Sequence, residues 1–177
     1  MQLSDGVITL RPPVDDDLPA LADAVRSSQA ELAPFMPWAD GPYEESSTLS
    51  WIRGEHGDER SFVITLPSGD IVGACGLNQF SDLNRYANLG YWVRSSATGM
   101  GYATRATRLL ARHALADVGL ARVEIIMSVE NQASRRVAER VGARLEGVMR
   151  SRLLLRGRHH DAYLFSLVRG DVDAVTH

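Results

Sequence analysis

The sequence predicts an α/β (α+β) protein with seven β-strands and four α-helices. Seven short segments alternate apolar with polar residues or are rich in Val, Ile and Phe, which is typical of strands. Four longer segments repeat their apolar residues every three or four positions, which is typical of amphipathic helices. The length of 177 residues is enough to bury one hydrophobic core. We therefore expect residues 1–177 to fold as a single domain.

The predicted elements run along nearly the whole chain without repeats or low-complexity tracts. In order, the sequence predicts a strand over 7–11, helices over 15–25 and 43–57, strands over 62–66, 71–80 and 87–93, a helix over 101–118, a strand over 123–129, a helix over 132–141, and strands over 145–155 and 161–168.

Caps and turns set the predicted boundaries in the N-terminal half. Pro12 and Pro13 stop the first strand, and the three acids of residues 15–17 supply the cap and first turn of the first helix. Prolines keep the apolar segment 34–38 from forming a regular helix. The turn sequence Pro-Ser-Gly-Asp at 67–70 closes a hairpin between the strands on either side of it.

Glycines mark the junctions in the C-terminal half. The strand that ends at Val93 leads into the longest predicted helix through a loop that contains Gly99 and Gly101. A strand rich in Val and Ile follows that helix. Gly142 ends the next helix, which begins after Asn131. Two further strands complete the order.

Composition narrows the class of protein. Apolar residues make up 45% of the chain and the formal net charge is −3, as in ordinary globular proteins. Residues 1–60 hold 12 acidic and 4 basic side chains, whereas residues 61–177 hold 10 and 15. This division suits a polyanionic ligand in the second part and a cationic one near the first. With no apolar run of about 18 residues and no signal sequence, we expect a cytoplasmic protein without a membrane or nucleic-acid partner.

The basic residues and the single cysteine exclude several chemistries. All 19 basic residues are arginines, which rules out Schiff-base formation on lysine and the lysine of a Walker loop. Cys75 lies in an apolar strand and is interpreted as a small buried hydrophobe rather than a nucleophile. A lone cysteine indicates a reducing compartment. No Cys/His spacing suggests a metal site.

The loop between the strand and the longest helix predicts an anion site. Gly99 and Gly101 let the backbone turn its amides toward one point without a Cβ in the way. The following helix begins with unpaired N–H groups and the positive end of its dipole. Thr104 occupies the sixth position of the dinucleotide pattern G-x-G-x-x-G, where a small residue is needed. What remains is a cradle suited to a pyrophosphate.

Six segments in order resemble the GNAT acetyltransferase superfamily, nearest to the branch that acetylates α-amino groups of ribosomal proteins. They are residues 8–12 (ITLRP), 34–38 (PFMPW), 89–93 (LGYWV), the glycine loop 99–103, 131–138 (NQASRRVA) and 159–161 (HHD). In the loop pattern Arg/Gln-x-x-Gly-x-Gly/Ala, Gly101 and Ala103 match, whereas Thr98 stands at the Arg/Gln position.

The resemblance implies a fold and a cofactor. It implies a mixed, mostly antiparallel sheet flanked by helices and splayed beside strand 87–93, where the pantetheine of acetyl-CoA pairs like an added strand. It also implies that the Val93 amide polarises the acetyl carbonyl while an amine attacks it directly through a tetrahedral intermediate. The amides that would hold the pyrophosphate belong to Gly99, Met100, Gly101, Tyr102 and Ala103. No metal is implied.

Asn131 and Ser134 open the helix that follows the strand 123–129. In one interpretation Asn131 is the N-cap and Ser134 merely satisfies a free amide. In the other, which the resemblance favours, the Ser134 hydroxyl bonds the thiol of CoA and protonates it as it leaves. Capping and a contact with the pantetheine are compatible roles for Asn131.

The general base is missing from its usual place. Family members often carry a glutamate in the strand before Gly-Tyr-Trp, where this chain has Asn88. An amide cannot take a proton, although it can orient a water. An α-amine with a pKa of about 8 tolerates this loss better than a lysine with a pKa of about 10.4. We therefore predict an α-amino acceptor and regard Glu130 as a weaker candidate for the base.

Trp38 and Asp161 are the predicted acceptor-side residues. Trp38 lies in the proline-flanked segment, where regular burial is unfavourable, and Asp161 lies near the end of the chain on the acceptor side of the family's fold. A purely structural hydrogen bond is the alternative for Asp161. His113, in the longest helix, is interpreted as a core or boundary residue.

Three functions stay open. An acetyltransferase acting on protein N-termini is the first, a detoxifying acetyltransferase acting on small amines is the second, and a non-catalytic acyl-CoA-binding module is the third. The residues Thr98 and Asn88 favour the module, whereas the intact glycine loop, Asn131 and Ser134 favour an enzyme. The sequence does not determine the acceptor or the oligomeric state, a homodimer included.

Overall fold

A computed structural model of the chain describes residues 1–55, 57 and 60–173. The described part contains eight strands and six α-helices. The strands are β1 (Leu3–Ser4), β2 (Thr9–Arg11), β3 (Arg60–Thr65), β4 (Ile71–Ser81), β5 (Tyr86–Val93), β6 (Arg122–Ser128), β7 (Arg144–Leu155) and β8 (Arg158–Leu167). The helices are α1 (Leu18–Arg26), α2 (Gln29–Leu32), α3 (Glu45–Ile52), α4 (Tyr102–Ala116), α5 (Gln132–Arg140) and α6 (Arg169–Asp173).

The strands form one mixed sheet in the order β1-β2-β3-β4-β5-β6-β8-β7. Neighbouring strands are antiparallel except β5 and β6, which are parallel. The predicted α/β class and mostly antiparallel sheet are confirmed. The predicted number of seven strands is one too low, because the two-residue β1 pairs with β2 through Leu3 and Leu10. So short a segment carries no periodic signal.

The sheet opens between its two parallel strands, as predicted. Strands β5 and β6 pair only from Tyr86 opposite Arg122 to Asn88 opposite Glu124. Both strands continue past this point, β5 to Val93 and β6 to Ser128. Beyond Asn88 the two halves of the sheet therefore have unpaired edges that face each other. We call the space between these edges the sheet opening.

Helices cover both faces of the sheet. On one face, Ala106 and Leu110 of α4 pack with Leu89 of β5 in the main core. Side chains alternate along a strand, so Trp92 points to the other face, where it packs beside Leu21 of α1 and Ile52 of α3. The sheet opening thus has a face covered by α4 and α5 and a face covered by α1 to α3.

Two helices differ from their predicted extents. Helix α3 is shorter than the predicted 43–57, because Gly54 with φ +68° ends it in a left-handed conformation; residue 56 lies outside the described residues. The first helix is α-helical only from Leu18, after a 3-10 turn over residues 15–17. The Asp17 carboxylate does not cap it but accepts two hydrogen bonds of 2.7 Å from Arg11. The short helix α2 was not predicted.

Cys75 and His113 are core residues, as predicted. Burial raises the pKa of the Cys75 thiol, so this side chain stays neutral and inert. His113 is buried in α4 and its Nδ1 lies 2.8 Å from Asp117 one turn later. Within the ranges that the structure describes, no helix is long and apolar enough to cross a membrane.

Candidate functional site

The loop after β5 presents a row of free backbone amides. Gly99 and Gly101 have φ values of +79° and +80°, which side chains rarely allow. Gly101 is the N-cap of α4, and its carbonyl receives the first helical hydrogen bond, from Arg105 N–H at 3.1 Å. Among the described residues, none of the amides of 99–104 donates to a protein acceptor. These donors and the helix dipole meet the requirements of a pyrophosphate site.

Thr98 has a local role in this loop. Its hydroxyl donates to the Ser95 carbonyl at 2.9 Å and closes the 3-10 turn of residues 95–97. The side chain is thereby directed into its own loop. The cradle consists of backbone groups, so the absence of an Arg or Gln at this position leaves it intact.

Two amides of β5 point into the sheet opening. Arg94 N–H donates to the Val72 carbonyl of β4 at 2.9 Å. Only every second residue of an antiparallel strand points its N–H toward the same neighbour, so the N–H groups of Tyr91 and Val93 point away from β4. Both lie beyond the last pair that β5 forms with β6. Either amide is free to bind a carbonyl oxygen inserted into the opening.

Tyr91 and Ser134 form a hydrogen bond across the opening. The Tyr91 hydroxyl lies 2.8 Å from Ser134 Oγ and donates to the Ser134 carbonyl oxygen at 3.2 Å. Tyr91 comes from β5, and Ser134 comes from the helix that follows β6. Burial raises the pKa of the Tyr91 hydroxyl to about 12, against a smaller lowering by its hydrogen bond with Ser134. Tyr91 therefore stays protonated at neutral pH.

Asn131 is the N-cap of α5, as the capping interpretation predicted. Its Oδ1 accepts a hydrogen bond from Ser134 N–H at 3.0 Å. Both residues are half-buried. The cap fixes the first turn of α5 and so holds the Ser134 side chain at the edge of the opening.

Asn88 and Asn78 lie on the face of the sheet covered by α1 to α3, opposite the face to which Tyr91 points. The Asn88 Nδ2 donates to Asn78 Oδ1 at 2.9 Å, whereas Asn88 Oδ1 is buried without a hydrogen-bond partner in the described part of the chain. At a rise of about 3.3 Å per residue, Asn88 lies roughly 17 Å along the strand from Val93. The two residues therefore cannot contact the same reacting atom. Any action of Asn88 on a group held at Val93 must pass through water or through the acceptor itself.

The two tryptophans lie next to each other on this face. Trp38 belongs to a 3-10 turn over Pro37–Ala39, and its ring centroid lies 5.7 Å from that of Trp92. Trp38 remains 52% exposed, although it contacts a half-buried aromatic residue. An exposed tryptophan supported by a second ring is suited to contact a ligand.

Asp161 makes the structural hydrogen bond that was its alternative interpretation. Its Oδ1 accepts from Ser151 N–H at 2.8 Å, in an irregular part of the β7–β8 ladder where Ser151 has φ +52°. His160 Nδ1 lies 3.8 Å from the Glu130 carboxylate, whose side chain is 69% exposed. Such exposure favours a solvated carboxylate over a base. Among the described residues, no three His, Cys, Asp or Glu side chains cluster as a metal site would require.

Sequence reasoning missed Tyr91 and Asn78. Tyr91 points to the same face of the sheet as Leu89, the face covered by α4 and α5. The sequence pattern therefore indicated a core residue and did not indicate that its hydroxyl makes a hydrogen bond. Asn78 lies opposite Asn88 in the β4–β5 register. Two facing asparagines in adjacent strands are a recognisable signal, but only once the register is known.

Comparisons with known proteins agree with this geometry. The profile of the acetyltransferase (GNAT) domain matches residues 8–144. YdaF of Bacillus subtilis strain 168, provisionally named a ribosomal N-acetyltransferase, is 32% identical to this chain; the match covers 92% of this chain and 91% of the YdaF chain. Mycobacterium smegmatis RimJ, solved with CoA-disulfide, is 30% identical with a TM-score of 0.86 and covers 100% of this chain and 88% of its own. RimL, a ribosomal L7/L12 α-N-protein acetyltransferase solved with coenzyme A, is 25% identical with a TM-score of 0.86 over 95% of this chain and 98% of its own.

Proposed function

The chain belongs to the GNAT acetyltransferase family, and from this premise we propose that it transfers an acetyl group from acetyl-CoA to the α-amino group of a protein N-terminus. The observation that carries the proposal is the sheet opening. It has free amides along one edge, the phosphate cradle at one end, and a pair of hydroxyls across it. The relatives RimL and YdaF, named for ribosomal-protein acetylation, support the choice of a protein N-terminus.

The residues of the chain fit acetyl-CoA. The free amides of residues 99–104 would bind the pyrophosphate. Apart from the two chain neighbours of Gly101, no other described residue has an atom within 4 Å of the position that a Cβ on Gly101 would take. The Val93 N–H would donate to the acetyl carbonyl oxygen as negative charge develops there. Asn131 and Ser134 would flank the pantetheine from the opposite edge. When bound, acetyl-CoA supplies the thioester carbonyl that the amine attacks.

The two faces of the opening have different tasks. On the face covered by α4 and α5, the Ser134 hydroxyl would donate a hydrogen bond to the sulfur as it leaves. On the opposite face, Trp38 and Trp92 offer an apolar wall to the acceptor. Asn88 lies on the same face, with a buried Oδ1 that has no hydrogen-bond partner among the described residues. The acceptor would therefore approach from the face opposite Ser134. Asp161 would help to shape the acceptor side by holding the β7–β8 hairpin.

The residues at positions 88 and 130 bear on the acceptor class. No carboxylate occupies the position of Asn88, and Glu130 is exposed to solvent. An amine must then lose its proton to water before it attacks, which an α-amine with a pKa of about 8 does far more readily than a lysine of about 10.4. This difference favours N-terminal amines over lysine side chains.

A panel of three acceptors tests the proposal. We expect turnover of acetyl-CoA with a lysine-free peptide that has a free N-terminus, and little with an N-terminally blocked peptide that contains lysine. The logarithm of kcat/KM should rise with pH and level off near the acceptor's own pKa of about 8. Efficient acetylation of the blocked peptide at neutral pH would reveal a base elsewhere. Turnover of a small polyamine alone would indicate a small-molecule enzyme, and calorimetric binding of acetyl-CoA without any turnover would indicate a binding module.

A further inference from the structure

We propose that Tyr91 is a positioning residue for Ser134, which it holds in place and whose hydroxyl hydrogen it directs toward the leaving sulfur. This inference rests on the proposed acetyl transfer. Tyr91 projects from β5 on the face covered by α4 and α5. Its hydroxyl reaches the helix on the far edge of the opening, 43 residues later in the chain.

The two hydrogen bonds allow two arrangements of hydrogens. In the first, the Tyr91 hydroxyl donates to the Ser134 carbonyl at 3.2 Å, and the Ser134 hydroxyl donates to the Tyr91 oxygen at 2.8 Å. In the second, the Tyr91 hydroxyl donates to Ser134 Oγ, and the Ser134 hydrogen is free to point into the opening. A rotation of both hydroxyls converts one arrangement into the other without movement of heavy atoms.

The second arrangement is the one that favours catalysis. As the amine nitrogen forms the C–N bond, the C–S bond breaks and sulfur keeps the electron pair. The sulfur leaves as a thiolate that accepts a hydrogen bond from the Ser134 hydroxyl, and the proton released by the amine passes to water, so Ser134 keeps its own hydrogen and no net charge remains on the protein. A hydrogen bond from Tyr91 to Ser134 Oγ makes the Ser134 hydroxyl a stronger donor to the negative sulfur. This contribution grows in the transition state and therefore acts on kcat.

The environment of Tyr91 suits a hydrogen-bond donor and not a base. Burial raises the pKa of its hydroxyl to about 12, so it keeps its hydrogen throughout the neutral range. The Asn131 cap restrains Ser134 through the backbone, with Ser134 N–H donating to Asn131 Oδ1 at 3.0 Å. The Tyr91 hydroxyl, 2.8 Å from Ser134 Oγ, restrains the side chain of Ser134. Backbone and side chain of Ser134 are thus held from two separate elements.

A double-mutant cycle tests the inference. Tyr91→Phe keeps the ring and removes only the hydroxyl; we expect kcat to fall at least tenfold with KM for acetyl-CoA within twofold. In a Ser134→Ala background the same substitution should have no further effect, because Tyr91 acts through Ser134. Tyr86→Phe, which removes a hydroxyl from the same strand, should leave kcat unchanged. Thermal unfolding of each variant establishes that the fold is retained.

A second readout does not depend on turnover. The pKa of the thiol of bound CoA, followed by the ultraviolet absorbance of the thiolate, should be lower in the wild-type complex than in Tyr91→Phe, since a hydroxyl directed at sulfur stabilises the anion. The inference is overturned if the wild-type protein turns over its acceptor and Tyr91→Phe has the same kcat and the same thiol pKa as the wild type. The proposed function would then still stand. Equal losses of kcat from Tyr91→Phe in the presence and absence of Ser134 would also overturn it. Failure of the wild-type protein to bind CoA or turn over any acceptor would instead defeat the proposed function.

Discussion

Substitution of Gly73 should damage the site through the backbone of the neighbouring strand. Gly73 lies in β4 opposite Val93 of β5. A Cβ added to it would clash with the Trp92 carbonyl oxygen and would lie 2.9 Å from the Val93 Cα and 3.1 Å from the Trp92 carbonyl carbon. All three are backbone atoms, so no side-chain rotation relieves the contact.

The size of the effect follows from these distances. Ordinary contacts begin near 3.4 Å, so β5 must move by roughly 0.5 Å at Val93 and by more at the Trp92 oxygen. Displacements of about 1 Å at a reacting group cost as much as about 100-fold in rate. We therefore expect Gly73→Ala to lower kcat/KM by about 10- to 100-fold. Overpacking should also reduce the free energy of unfolding by about 1–3 kcal/mol.

The assay measures release of the CoA thiol together with thermal unfolding, and Gly147→Ala serves as the control. Gly147 is also a strand glycine, in β7. In the part of the chain that the structure describes, no residue other than its two chain neighbours has an atom within 4 Å of the position that a Cβ on Gly147 would take. That variant should resemble the wild-type protein in both measurements. If Gly73→Ala retains kcat/KM within twofold and unfolds at the same temperature as Gly147→Ala, the reasoning from backbone contact is refuted.

Two other substitutions test the cradle and the N-terminal ion pair. Gly101→Val should raise the Kd for acetyl-CoA at least tenfold, or about 1.4 kcal/mol, because a β-branched residue strains the left-handed backbone at φ +80°. Gly157→Val, at φ +71° in the turn between β7 and β8, should leave the Kd measured by calorimetry unchanged, and equal Kd values for wild type and Gly101→Val would remove this loop from the site. Asp17→Asn should lower the free energy of unfolding by about 1–3 kcal/mol near pH 7, because Arg11 loses its carboxylate partner. The Arg11 hydrogen bonds hold the pKa of Asp17 in the folded protein below its usual value, so this stabilisation is present above the unfolded pKa of about 3.9 and is lost as the pH falls through the folded-state pKa. Denaturant unfolding should therefore show a smaller difference in the free energy of unfolding between wild type and Asp17→Asn near pH 3 than near pH 7. An equal difference at both pH values would contradict the stabilising role of this ion pair.

The free amides of the glycine loop could be predicted because the residues that leave them unpaired are neighbours in the chain. A strand, two glycines and a helix start within about a dozen residues determine which amides are free, and hydrogen bonds of this kind are local. The N-cap of Asn131 on Ser134, three residues apart, was predictable for the same reason.

Contacts between distant segments were not accessible from the pattern alone. The prolines of residues 34–38 indicated an irregular segment, but not that Trp38 would lie on Trp92, 54 residues further on. Asn88 was recognised as an unusual residue, whereas its partner Asn78 and its distance from Val93 depend on strand register. The β1 strand escaped detection because two residues cannot show a period.

The sequence by itself determined most of the order of the strands and helices and the free amides of the glycine loop, since periodicity, caps and glycine conformation depend on residues within one or two turns of each other. The resemblance of six segments indicated the family. The tertiary structure decided at which residue the sheet opens and what lies across the opening. Strands β5 and β6 separate after Asn88. The Tyr91 hydroxyl of β5 then reaches across the opening to Ser134, in the helix that follows β6. Such a contact depends on how the whole sheet twists and packs, and the residues on either side of Tyr91 carry no trace of it.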